Sequence, residues 1–166
     1  MDIDKVPDDF ITHAIVNMKA SKQHTFLILT KRVKRMAEYV TKYWPEGVPN
    51  VFWGITCENQ QRADERIPYL LQVHGKRWLS IEPLLGEIDL ELSCGNWHQF
   101  ISQIIVGCET GRNARPCKIE WIESIVEQCR EAGVPCFVKA INLNGKITSD
   151  ITKFPESVRV RELIWK

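Results

Sequence analysis

The feature that most constrains the fold is an alternation. Apolar runs of four to seven residues are separated by longer amphipathic stretches with helical spacing. Runs this short suit buried strands, and the longer stretches suit helices packed on them through one face. Residues 25–30 (TFLILT), 51–57 (VFWGITC), 78–82 (WLSIE), 104–109 (IIVGCE) and 136–139 (CFVK) read as five strands. Helices are expected over 8–20, 31–44, 59–74 and 118–132. Strands joined by helical crossovers run parallel, in either an open doubly wound sheet or part of a β/α barrel. In both, crossovers are right-handed and ligands sit at the carboxyl ends of the strands.

The helix limits have local causes. Pro7 precedes the first, and Asp8 and Asp9 favour its positive end, with Phe10, Ala14, Ile15 and Met18 expected inward. Val33, Met36, Ala37 and Val40 line the second, which Pro45 stops. Ala63, Ile67, Leu70 and Leu71 line the third, where Pro68 is expected to introduce a kink or a break. Ile122, Ile125, Val126 and Cys129 line the fourth, ended by Gly133 and Pro135. Residues 84–101 suggest a short strand and a turn at 94–96, and 158–164 suggest an edge strand. At 166 residues, without long linkers, the chain is read as one domain, with 141–166 a C-terminal extension packed on it.

Period two along a strand sorts the polar residues. Gly54, Thr56 and Glu58 share a face, opposite Trp53, Ile55 and Cys57; Ser80 and Glu82 lie opposite Leu79 and Ile81; Gly107 and Glu109 lie opposite Val106 and Cys108. One face is apolar and suits helices, while the other turns polar toward its carboxyl end, as a partial barrel requires. Thr30 and Lys139 end the first and fifth strands. With strands about 5 Å apart, Glu58, Glu82 and Glu109 are expected within about 5–10 Å of one another, balanced by Lys139, Lys31 or Arg32. Such a group suits acid–base work, a cation or a polar ligand. Pro83 favours an extended Glu82. In the loop GCETGRNARP at 107–116, Arg112 and Arg115 suit an anion clamp, although the spacing is not that of a P-loop or a dinucleotide fingerprint.

Other classes find less support. Net charge is +1, and no apolar run nears the roughly 18 residues of a membrane span. The acidic start MDIDKVPDDF lacks the basic and apolar regions of a signal peptide, so a cytoplasmic protein is expected. The six cysteines form no CxxC pair and the four histidines are scattered, so free thiols and no metal site are expected. Lys31, Arg32, Lys34 and Arg35 invite a nucleic-acid reading. Lys31, Lys34, Arg35, Glu38 and Lys42, however, fall on the outer side of their helix, which suits a solvated face.

The runs LTKRVKRM, FWGITCENQQRADERIPYLL, LSIEPLLGEIDL, IIVGCETGRNARP and GVPCFVK, with the ending NGKITSD…FPESVRVRELIW, resemble the ordered signatures of an uncharacterised phage and prophage protein family that is similar to radical S-adenosylmethionine barrels. The resemblance runs from about Val6 to the C-terminus and implies a partial barrel. It further implies S-adenosylmethionine and an iron–sulfur cluster held by a three-cysteine motif in a preceding segment. No cysteine of this chain has the spacing to supply those ligands. Cys108 stands where the family often has glycine, and Ala140 and Ile141 where it has glutamine and tryptophan.

Three functions follow as expectations. The first is a truncated barrel without radical chemistry of its own, acting as a binding or modulator protein on a host factor. The second is the C-terminal part of a split or cropped radical enzyme. The third is a hydrolase using the glutamates, by analogy with carboxylate-pair chemistry. Without preceding strands, the strand at 25–30 is an exposed edge, open to a host protein or a second copy.

Overall fold

The computed structural model describes residues 6–165. Five parallel strands follow chain order across one curled sheet: β1 (Phe26–Thr30), β2 (Val51–Thr56), β3 (Lys76–Ile81), β4 (Gln103–Gly107) and β5 (Cys136–Leu143). An antiparallel sixth, β6 (Lys146–Thr148), extends the sheet beyond β5. Strictly sequential order rules out the doubly wound arrangement, in which strand order reverses at a switch point. Crossovers of one hand then bring the helices to one side, and the sheet curls into a half-barrel.

The connecting helices are α1 (Asp8–Ala20), α2 (Val33–Tyr43), α3 (Gln60–Leu70), the one-turn α4 (Leu90–Ser93) and α5 (Ile119–Ala132). The core lies between them and the outer face of the sheet. Trp53, Ile55, Cys57, Leu79, Ile81, Ile104, Val106 and Val138 meet Val33, Ala37, Val40, Ala63, Ile67, Ile122 and Ile125 in one buried cluster. Helix ends follow the expected chemistry. The Asn59 side chain accepts from the Arg62 amide at the start of α3, and Gly133 adopts φ 66° after α5, the left-handed residue that ends many helices. Pro68 sits in the last turn of α3, which ends two residues later.

Several expectations are corrected. β1 is the edge strand expected at 25–30 but not a buried one: Leu27 and Leu29, on the inner face beside Phe52 and Gly54, are 39% and 48% exposed. Phe10 points outward at 66% exposure, since α1 flanks the sheet rather than covering it and buries only Ile15 fully. Residues 84–101 hold α4 and a 3-10 turn at Trp97–Gln99, and no strand; Asn96, at φ 57°, forms the expected turn. β5 runs four residues beyond Lys139 and turns at Asn144 and Gly145, both at positive φ, into β6, which the short apolar content of KIT did not reveal. Residues 158–164 form a single bridge, Phe137 to Arg161, rather than a strand.

That tail nevertheless organises the inner face. Its backbone pairs with β5 through Val138 N to Val160 O (2.9 Å) and Glu162 N to Cys136 O (2.8 Å). Gln103, fully buried at the start of β4, then fastens it: Nε2 donates to the Glu162 carbonyl at 2.9 Å, and Oε1 accepts from the Ile164 amide at 3.1 Å. A buried amide left unpaired costs about 1–3 kcal/mol, so these bonds make the docking specific. Trp165 consequently reaches the inner face and meets Phe52 and Trp78 edge-on, with ring centroids 5.3 and 6.1 Å away. Gly54 makes room for this stack. A Cβ there would lie 2.2 Å from the Trp78 indole, so Gly54→Ala should destabilise the fold by about 1–3 kcal/mol, read as a lower urea midpoint at unchanged slope. An unchanged midpoint would show that the stack is slack.

Candidate functional site

The carboxyl ends of β2, β3 and β4 deliver Glu58, Glu82 and Glu109 to one edge. The chain after Pro83 crosses that edge and is tied down on both sides, with Leu84 N on the Gly107 carbonyl (2.9 Å) and Leu85 N on the Glu58 carbonyl (2.8 Å). The Glu82–Pro83 peptide is cis. Each glutamate meets its own cation.

Glu58 is the most enclosed, its side chain 12% exposed. Arg66 donates to it at 2.8 Å and also to the Thr56 carbonyl, and Lys31 pairs with its other oxygen. Burial pushes the Glu58 carboxyl up, but the Lys31 donor, its own backbone amide and the Arg66 charge outweigh that and hold it below the usual range. Arg66 was not apparent as a site residue. It lies on the inward face of α3 among Ala63, Ile67 and Leu70, and a cation within such an apolar stripe is the sequence signal that marks it.

Glu82 accepts from Lys139 at 2.9 and 3.0 Å. A register shift makes this contact. Val106 pairs with Val138 but Gly107 with Ala140, so Lys139 is the extra residue of a bulge, which re-aims its side chain. Gly107 permits the approach: a Cβ there would stand 3.2 Å from the Ala140 nitrogen.

Glu109 is bound within its own loop. Arg115 donates through Nε (2.8 Å), Nη2 (2.7 Å) and its backbone amide (2.8 Å). The bidentate side-chain bond first, then the amide, holds the carboxyl down at about 2. Arg115 is therefore engaged with a carboxylate rather than held open for a phosphate. Arg112 lies exposed on the same loop and has no hydrogen bond or ion pair among the described residues.

The remaining expected residues scatter around these pairs. Thr56 and Ser80 are buried register partners below the edge. The Thr30 hydroxyl accepts from the Arg32 amide at 2.9 Å and shapes the entry to α2. Arg35, expected on a solvated face, is half-buried and bonds Asp8 (3.0 Å) and the Val6 carbonyl, fastening the start of α1 to α2. Among the described residues no group of three or more His, Cys, Asp or Glu is placed to hold a metal ion. Five of the six cysteines are buried, and burial pushes the Cys57 and Cys117 thiols up to about 12. Among the described residues no helix is long and apolar enough to cross a membrane.

This architecture accompanies a family assignment. The chain matches the family described as "Protein of unknown function (DUF5131)" over residues 2–157, and it belongs to that family. No curated protein and no solved structure matches it.

The ion pair at Glu109 has a measurable signature. Because its folded value lies below the ordinary one, the pairing is complete above the usual carboxylate range and is lost as pH falls toward about 2. At pH 3 Glu109 should still be ionised, with the Arg115 amide proton unmoved in an NMR titration. Titration at the ordinary value of about 4.3 would show the loop to be open. Arg66→Met should cost about 2–3 kcal/mol in chemical denaturation, because it leaves an enclosed carboxylate with Lys31 alone.

Proposed function

We propose that this half-barrel is a binding module that holds a partner along its carboxyl edge, without radical or hydrolytic chemistry of its own. The observation that carries this reading is the pairing of every strand-end glutamate with its own cation. A general base needs a free carboxylate with a raised pKa, and Glu58 and Glu109 are shifted the other way. An edge of fixed, alternating charges instead gives orientation and partner selectivity, which is how charged groups serve at interfaces. Arg112, exposed beside the Glu109–Arg115 pair, supplies a cation for an acidic group of the partner.

The phage association and the likeness to radical S-adenosylmethionine barrels rest on the sequence resemblance, and in that setting the partner is a host protein that the module modulates. The thiols of this chain do not fit an iron–sulfur cluster. Those of Cys57, Cys108, Cys129 and Cys136 lie in the core between sheet and helices, and Cys94, the least buried, stands alone after α4. A second reading, the C-terminal part of a split radical enzyme, draws support from the open edge of β1, where Leu27 and Leu29 await cover.

These readings separate in two measurements. As a binder, the purified chain should retain one host protein, with at least tenfold weaker retention by Arg112→Glu/Lys139→Glu and none lost by Lys146→Glu on the distant hairpin. After anaerobic treatment with iron and sulfide, the chain should stay colourless. A brown chromophore that cleaves S-adenosylmethionine would overturn the binding reading in favour of the enzyme. Activity in an ester, phosphate or glycoside panel that Glu82→Gln abolishes would overturn it in favour of the hydrolase.

A further inference from the structure

Below the rim pairs, one layer of the concave face has no role in the fold. Thr56 and Ser80 are register partners on β2 and β3, and each is 4% exposed. Alternation turns both side chains inward, opposite the core residues Ile55, Leu79 and Ile81. Neither hydroxyl has a hydrogen-bond partner among the described residues, although the Thr56 carbonyl accepts from Arg66 and the Ser80 carbonyl from the Cys57 amide. The layer beneath is unsatisfied as well. The Trp78 indole lies against Gly54, two residues below Thr56, and its N–H is buried without an acceptor. Buried polar side chains nearly always pair, so neighbouring exceptions on one concave face call for a cause. Gln103, on the same face, shows the ordinary case: its amide is filled by backbone groups of β4, the tail and Pro135.

The surroundings define what fits. The carboxylates above are all matched, Glu58 by Arg66 and Lys31, Glu82 by Lys139 and Glu109 by Arg115. An ion entering here would break one of these pairs or stay uncompensated, so the ligand is uncharged. The walls beside the hydroxyls are aliphatic. Leu29, register partner of Gly54, stands open, and Ile105, register partner of Ser80, is half-buried. The aromatic rings are engaged with other groups: Phe52 and Trp78 meet Trp165, and Phe137 carries the Arg161 guanidinium at 5.1 Å. A planar heterocycle would therefore find little ring surface to stack on. A hydroxyl both donates and accepts, so two of them on strands about 5 Å apart suit a ligand whose own groups do both. The remaining lone pairs of Glu58 and Glu82 can accept from such a ligand without losing their cations.

We infer that the concave face binds a small uncharged polyol, the size of one sugar ring. Its hydroxyls meet Thr56 and Ser80, and its C–H surface lies against Leu29 and Ile105. A concave, mostly apolar site with a few placed polar groups is the general form of a small-molecule pocket. The inference does not rest on a protein partner at the rim, and its test needs none.

The test is a proton–nitrogen NMR titration of the full chain with glucose, galactose, mannose, ribose and myo-inositol. It follows the indole N–H of Trp78, assigned by its loss in Trp78→Phe. At least one polyol should shift that resonance saturably at about the millimolar level, as a ligand of about twelve non-hydrogen atoms allows. Thr56→Val and Ser80→Ala should each weaken binding by about tenfold or more, while Thr56→Ser, which keeps the hydroxyl, should bind within about twofold of the parent. Urea unfolding of the free protein separates this role from a structural one. Removing a hydroxyl that bonds nothing in the fold leaves the midpoint unchanged or raises it, whereas removing one that holds the fold lowers it. A lowered midpoint in both Thr56→Val and Ser80→Ala, or no saturable shift with any of these polyols, would overturn the inference. So would tighter binding of uracil than of every polyol, which would make the site one for a planar ring. Tighter binding of glucose phosphate than of glucose would overturn it too, in favour of an anion.

Discussion

A parallel strand can be followed by its neighbour only through a crossover, and crossovers of one hand pile up on one face of a sheet. Everything else in this molecule answers to that constraint. Helices α2, α3 and α5 close the outer face and supply the core, while the inner face and the two edges must be satisfied by other means. At the β5 edge this is done within the chain: the tail pairs along residues 136–138 and β6 along 141–143. At the β1 edge the described residues offer no further strand, and Leu27 and Leu29 stay open. The two edges of one sheet are thus finished differently, and the open one is where strand addition would occur.

Much of this organisation was legible in the residues. Five strands, the helices between them and the inward residues Val33, Ala37, Val40, Ile122 and Ile125 follow from periods of two and 3.6. The polar strand ends were legible for the same reason, since alternation puts Glu58, Glu82 and Glu109 on the inner face. Lys31 and Lys139, expected as balancing cations, do pair with Glu58 and Glu82, but alternation could not supply the rest of the partnership. Glu58 depends on Arg66, eight residues on and across a helix, and Glu82 depends on a bulge that shifts Lys139 by one place. Both are properties of tertiary register rather than of local pattern. Gln103 escaped notice likewise, because one polar residue at the start of an apolar run looks like a strand boundary until its amide is seen holding the tail.

The ion pairs also redefine the edge. Three carboxylates on adjacent strands suggest mutual repulsion and a raised pKa, the usual route to an acid or base. Here the cations arrive from different elements: Lys31 after β1, Arg66 from α3, Arg115 from its own loop and Lys139 from the bulge. Each carboxylate is settled separately, and the edge becomes a row of dipoles rather than a pool of charge.

The stack of Phe52, Trp78 and Trp165 also fixes depth. It is a floor laid across the lower part of the half-barrel, with the Thr56 and Ser80 layer directly above it and the glutamates at the rim. Anything entering from the carboxyl side therefore meets a shallow dish instead of a tunnel. In the binding role proposed above, selectivity would be exercised by the rim, through which charges a visitor can match, and very little by how far it can reach inside.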